Sequence, residues 1–200
     1  MGLSIVNVGY RSTNYWVVSN GVSRILFDVG WPGLFGTLKA NIERMDIKLR
    51  EIKYALASHY HIDHAGAAQE LKQAGVPLLV METQTAWVPR MKRWTKPQDN
   101  YLEITPNGNV EITFGESRAF LGRIGIAGQI IPTPGHSDDS VSLVLDDGSA
   151  FTGDLTRPEF ISVENAEQVH ASWARLREAG ARVVYPGHGP AYKMTMDDRP

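Results

Sequence analysis

Residues 55–66 read ALASHYHIDHAG, and the stretch sets three histidines and an aspartate into the six positions from His59 to His64. The whole chain of 200 residues has only six histidines. An apolar run, KYALAS, leads into the cluster and reads as a short buried strand. AGAAQELKQAG leads out of it and reads as a helix that Gly75 closes. The cluster therefore lies on a strand-to-helix turn, where ligands commonly sit in α/β folds. His59 and His61 are two apart, so in extended backbone their side chains leave the same face. Asp63 and His64 fall where the chain turns and point in different directions. One pair suits one metal ion and the other pair a second ion nearby. Neither pair fills a four-coordinate shell, so further ligands must come from elsewhere.

Upstream, SIVNV, YWVVS and RILFDVG read as short strands, the last two joined by a turn at Asn20-Gly21. From Gly33 to Met45, the spacing of Leu34, Leu38, Ile42 and Met45 predicts an amphipathic helix. Downstream, VPLLVM is another strand. After a polar, aromatic-bearing stretch to Gly108 come NVEITF, AGQIIPTP, SVSLVL and SAFTGD, all read as strands. A last helix, Glu164 to Ala179, leads to the strand RVVYPG. Strands separated by helices in both halves predict two sheets covered by helices, a layered α/β sandwich formed by residues 1–200 as one domain.

The missing ligands have candidates at three of these strand ends. PTPGHSDDS places His136 after a Pro-Gly turn, FTGDL ends on Asp154, and YPGHGP ends on His188. A glycine before each of them lets backbone approach a crowded site without a Cβ clash. A lone histidine after a strand is more often a hydrogen-bonded structural residue than a ligand. Here five of the six histidines fall in strand-end motifs, which favours convergence on one pocket. His170, on the last predicted helix, has no such company and reads as a surface or core-edge residue.

The ordered set HxHxDH, PGH, TGD and PGHG resembles that of the metallo-β-lactamase-fold superfamily of metallohydrolases. The resemblance runs from the N-terminal strands, with Asp28 closing RILFDVG, to YPGHGP. It implies a four-layer αββα sandwich with the site at one edge between the sheets. It also implies one metal held by His59, His61 and His136, a second held by Asp63, His64 and His188, and Asp154 bridging the two.

Ligands made only of imidazole and carboxylate suit zinc and also accept iron or manganese. Two zinc ions are the expectation, with a shared water drawn towards hydroxide at neutral pH. Asp63, ligand and nearest carboxylate at once, is the candidate to orient that nucleophile or to carry a proton to the leaving group. The expected activity is hydrolysis of an ester, thioester, lactone or related bond. An iron-dependent oxidoreductase on the same fold is the alternative. A β-lactamase fits less well, because true members usually lack the bridging aspartate that FTGD supplies. A metal-stabilised sensor without turnover is disfavoured by the complete ligand set.

Substrate contacts are sought in residues 81–101, METQTAWVPRMKRWTKPQDNY. This stretch reads either as a lid, with Trp87 and Trp94 as apolar anchors and a basic cluster for an anionic acyl group, or as an ordinary helix with its tryptophans turned inward. Arg157 stands where quorum-quenching lactonases often carry a tyrosine, and joins Trp87 and Trp94 as a candidate contact.

The formal charge of −2 provides no whole-protein field for nucleic acid or an anionic membrane, so either would need a local patch, and the expected partner of the hydrolase is a small-molecule substrate. No apolar stretch is long enough to span a bilayer, and the N-terminus lacks the pattern of a secretory leader. With no cysteine to form disulfides or thiolate ligands, the default expectation is a cytoplasmic protein.

Overall fold

The computed structural model describes residues 3–160 and 166–194. The first sheet has six strands in sequence order: β1 (Ser4–Asn7), β2 (Trp16–Ser19), β3 (Arg24–Phe27), β4 (Ile52–Leu56), β5 (Leu78–Met81) and β6 (Asn109–Ile112). β1 to β3 are antiparallel and β3 to β6 are parallel. The second sheet runs β11-β10-β9-β8-β7, from β7 (Gly128–Pro132), β8 (Val141–Leu145), β9 (Ser149–Gly153), β10 (Val183–Pro186) and β11 (Tyr192–Lys193).

Alternation along the strands assigns each face its layer. From β2 and β3, Val17 and Leu26 point to the outer face of the first sheet, where they meet Leu38 and Ile42 of helix α1 (Phe35–Arg44). Ala65 of α2 (Ile62–Ala65) and Leu71 of α3 (Ala68–Gln73) join the same layer. Trp16, Val18, Ile25 and Phe27 point the other way, into the space between the sheets, and pack on Val141, Leu143, Leu145 and Phe151. Phe27 and Phe151 meet across that space with ring centroids 5.8 Å apart. On the far side, Val144, Ala150 and Val184 bury Val169, Trp173 and Leu176 of α5 (Ala166–Glu178). Helix, sheet, sheet and helix are thus stacked in the αββα order.

Two segments depart from the sequence reading. Residues Phe114–Arg123 form a helix, α4, inside a region read as strands only. Its start is set by a capping box, in which Thr113 Oγ1 accepts from Glu116 N at 3.3 Å and Glu116 Oε2 accepts from Thr113 N at 2.9 Å. Phe120 and Leu121 seat it against the core between the sheets. Residues 81–101 are neither a regular helix nor an open loop, but two short 3-10 turns, Val88–Trp94 and Pro97–Asp99. The predicted start of the last helix, residues 164–165, lies outside the described residues.

Candidate metal centre

The strands end at one edge of the sandwich. β4 delivers the turn with His59 and His61, and α2 begins at once with Asp63 and His64 in its only turn. The ends of β7, β9 and β10 deliver His136, Asp154 and His188. All seven predicted ligands come together. His59, His61 and His136 form one group, Asp63, His64 and His188 a second, and His59, His64 and Asp154 a third between them. Within each group the potential ligand atoms lie within 4.8 Å of one another. Asp154 faces both sides, with Oδ1 3.3 Å from His64 Nε2 and 3.4 Å from His188 Nε2, and Oδ2 3.7 Å from His136 Nε2. His61 Nδ1 lies 3.1 Å from His136 Nε2.

Three of the five histidines are aimed by what their other nitrogen touches. Asp28 Oδ2 lies 2.8 Å from His64 Nδ1, Ser58 Oγ 3.0 Å from His59 Nδ1, and the Ser12 carbonyl 2.6 Å from His188 Nδ1. In every case Nε2 is left facing the shared space, an orientation typical of metal-ligating imidazoles. Ser58 links two of these contacts, since its backbone N–H donates to Asp28 Oδ1 at 2.6 Å and its hydroxyl to Oδ2 at 3.1 Å. Asp28 holds a left-handed φ of 64°, a conformation aspartate tolerates better than most residues. Thr13 Oγ1 donates to Asp63 Oδ2 at 3.1 Å. Asn14 donates through Nδ2 to the carbonyls of Pro186 and Gly189 at 2.9 and 2.8 Å, seating the turn that carries His188. A Cβ on Gly187 would lie 2.5 Å from Asp154 Oδ1, so only glycine fits there. Gly135 has a different reason, because a Cβ there would strike Val169 of α5 at 2.6 Å.

Burial makes the centre demand a cation. His59, His64 and Asp28 are fully buried. Burial, assisted by the charge of His64, pushes the His59 imidazole well below its ordinary pKa, and burial lowers His136 too. Burial alone would raise the Asp63 and Asp154 carboxyls, yet the imidazoles of His188 and His64 outweigh it and hold both well below the usual range. His59 Nε2, His64 Nε2 and Asp154 Oδ1 are buried atoms without a hydrogen-bond partner. Such orphans cost about 1–3 kcal/mol each unless something satisfies them. Neutral imidazole at His59 and His136 beside the ionised carboxylates of Asp63 and Asp154 is a donor set that fits divalent metal.

The candidate substrate residues separate. Trp94 is 60 % exposed, and its ring centroid lies 6.0 Å from that of His61. Trp87 is half-buried against the outer core with the Arg90 guanidinium 4.8 Å from its ring centroid. Lys92 pairs with Glu103 at 2.7 Å, so part of the basic cluster is engaged within the protein. Arg157 stacks over Tyr192 at 3.8 Å. Sequence reasoning assigned no role to Ser12, Thr13, Asn14 and Ser58, and knew Asp28 only as the end of a strand. For Asp28 and Ser58 the signal was position, a polar residue just past an apolar strand on the edge where the candidate ligands gather.

The model of the metallo-beta-lactamase superfamily matches residues 8–188. A probable metallo-hydrolase of Methanocaldococcus jannaschii is 26% identical over 94% of this chain and 93% of its own length. A beta-lactamase-like protein 2 homolog of Caenorhabditis elegans is 25% identical over 90% of this chain and 57% of its own. An atrochrysone carboxyl ACP thioesterase of Aspergillus fumigatus is 27% identical over 90% of this chain and 51% of its own. The chain thus spans only about half the length of several curated relatives it matches. Among solved structures, a metallo-beta-lactamase family protein from Thermus thermophilus superposes with a TM-score of 0.72 at 20% identity, covering 96% of this chain and 75% of that one. A Cronobacter sakazakii metallo-beta-lactamase mutant gives 0.70 at 23%, covering 92% and 77%. At that identity the two structures bear on the fold alone. This chain belongs to the metallo-beta-lactamase superfamily.

Proposed function

We propose that the protein is a dinuclear metal-dependent hydrolase, with zinc as the metal, that cleaves an ester, thioester, lactone or related bond of a small molecule. The observation that carries the reading is the convergence of seven imidazole and carboxylate side chains on buried atoms that lack hydrogen-bond partners. His59, His61 and His136 would hold one ion and Asp63, His64 and His188 the other, with Asp154 between them. When bound, two such ions supply Lewis acidity and draw the pKa of a shared water down to about 7.

The chain's own residues supply the rest. Asp28 and Ser58 hold the inner imidazoles in the tautomer that presents Nε2. Thr13 pins Asp63 through Oδ2, which keeps this carboxylate oriented to accept a proton from the attacking water and pass it to the leaving group. Trp94, exposed beside His61, offers an apolar face to an acyl chain at the mouth of the site. The thioesterase named among the relatives supports the acyl-transfer class, and thioesters head the substrates to test.

The test is to load the protein with zinc, count the ions, and screen thioesters, esters, lactones, phosphodiesters and a cephalosporin. Two ions per chain and turnover of a carbonyl substrate are expected. Asp154→Ala should lose most activity and weaken binding of one ion while the fold survives. Near-wild-type turnover of Asp154→Ala at unchanged metal content would sink the dinuclear reading.

A further inference from the structure

The three-histidine group draws on both sheets, since His59 and His61 follow β4 of the first and His136 follows β7 of the second. Most of the interface between the sheets is apolar. Apolar contact is non-directional and leaves the offset of two sheets soft. A metal shell needs its ligands held to within about 0.5 Å. At the site edge, however, the seam between the sheets is polar. Tyr60, between the two histidines, donates its backbone N–H to Asp139 Oδ2 at 2.7 Å. Val141 N donates to the Ser58 carbonyl at 2.8 Å. Gln84 Nε2 donates to the Ala57 carbonyl at 2.9 Å and reaches those of Ser58 and Asp139 at 3.3 Å, while its Oε1 accepts from Met81 N at 3.2 Å. Gln84 is 0 % exposed and Asp139 1 %. Neither side chain belongs to the ligand groups, and burying either is costly unless its polar atoms are satisfied. The bonds named here run to the backbone of the two ligand-bearing turns and of the strand beside them.

We propose that Asp139 and Gln84 are positioning residues, a buried clamp that fixes the turn carrying His59 and His61 against the turn carrying His136. The clamp sets the affinity of the metal these three histidines would share. The inference rests on the reading that they form one shell.

The experiment is competition for Zn²⁺ between a chromophoric chelator and the full chain, with exchange of the Tyr60 amide followed in parallel. In Asp139→Ala, one zinc ion should bind about 10–100-fold more weakly, the range typical for loss of an outer-shell partner. The other ion should be unaffected, and the Tyr60 amide should exchange faster. Asp139→Asn keeps a carbonyl oxygen for the Tyr60 N–H and should restore most of the affinity. Gln84→Met keeps the volume, removes the donors and should weaken the same ion. In a His136→Ala background, Asp139→Ala should add little, because both act on one shell. A folded Asp139→Ala with wild-type affinity for both ions overturns the clamp, as does an Asn variant damaged as much as the Ala variant. Should Asp139→Ala fail to fold, unchanged zinc affinity in Gln84→Met overturns it instead. A wild type that binds one zinc would defeat the dinuclear reading alone, because the clamp is then judged on the ion that His136→Ala removes. A wild type that binds none defeats both.

Discussion

His188 and His64 show how the carboxylates act on the metal-free protein. The contacts with Asp154 and Asp63 push the His188 imidazole up to about 10. Burial opposes the same shift at His64, but Asp28, Asp154 and Asp63 overcome it. Both imidazoles titrate near 6.5 once the chain unfolds. A pKa raised in the folded state adds stability that is fully present below the unfolded value and is lost as pH rises through the folded one. The metal-free protein should therefore lose thermal stability between about pH 6.5 and 10, and His188→Gln should flatten part of that loss. Melting temperatures measured in chelator across this range check it, and a constant value in the wild type would refute it. The candidate ligands were legible in the sequence because histidine is scarce and clusters at strand ends. The side chains that aim them were not. Thr13 and Asn14 are common polar residues that reach the site from 50 to 175 positions away, and Ser58, although it touches the adjacent His59, is held by Asp28 30 positions away, so no local pattern marks them.

Among the elements, most strands could be read because alternating or continuous apolar runs end on turn residues. Helix α4 could not, since Gly115 and Gly122 lower its helical signal and its Thr113-Glu116 capping box lies at the end of a strand-like run. Residues 81–101 carry no clean period because two short 3-10 turns replace any regular helix. The two tryptophans of this segment are placed differently. Trp87 packs on the core, whereas Trp94 stands exposed beside His61. Trp94→Ala should therefore raise KM with little change in melting temperature. Trp87→Ala should cost stability, on the order of 1–2 kcal/mol, a fraction of the value for a fully buried tryptophan. Kinetics and thermal melts of the two variants decide the matter. Lost stability with intact kinetics in Trp94→Ala would remove this residue from the site.

For the whole molecule, the centre sits where two sheets meet, and its candidate ligands come from chain positions between His59 and His188. A cation held there ties both sheets together at one edge, so binding and folding must be linked. A ligand at 100 times its Kd stabilises by about 2.7 kcal/mol, and for a chain of this size each kcal/mol moves the melting temperature by about 2–4 °C. Removing one ion should thus lower it by about 5–10 °C, and removing both ions of the proposed dinuclear centre by about twice that. The loss should also be local. The far ends of the strands are held by apolar packing between the sheets, which owes nothing to metal. Chelation should therefore speed amide exchange in residues 57–65, 133–140 and 186–189, while the interior of β8 stays protected. Melting and exchange measured with and without chelator test both halves of this argument. An unchanged melting temperature would mean that no ion links the sheets, and uniform loss of protection would mean that the sandwich, not its edge, depends on metal.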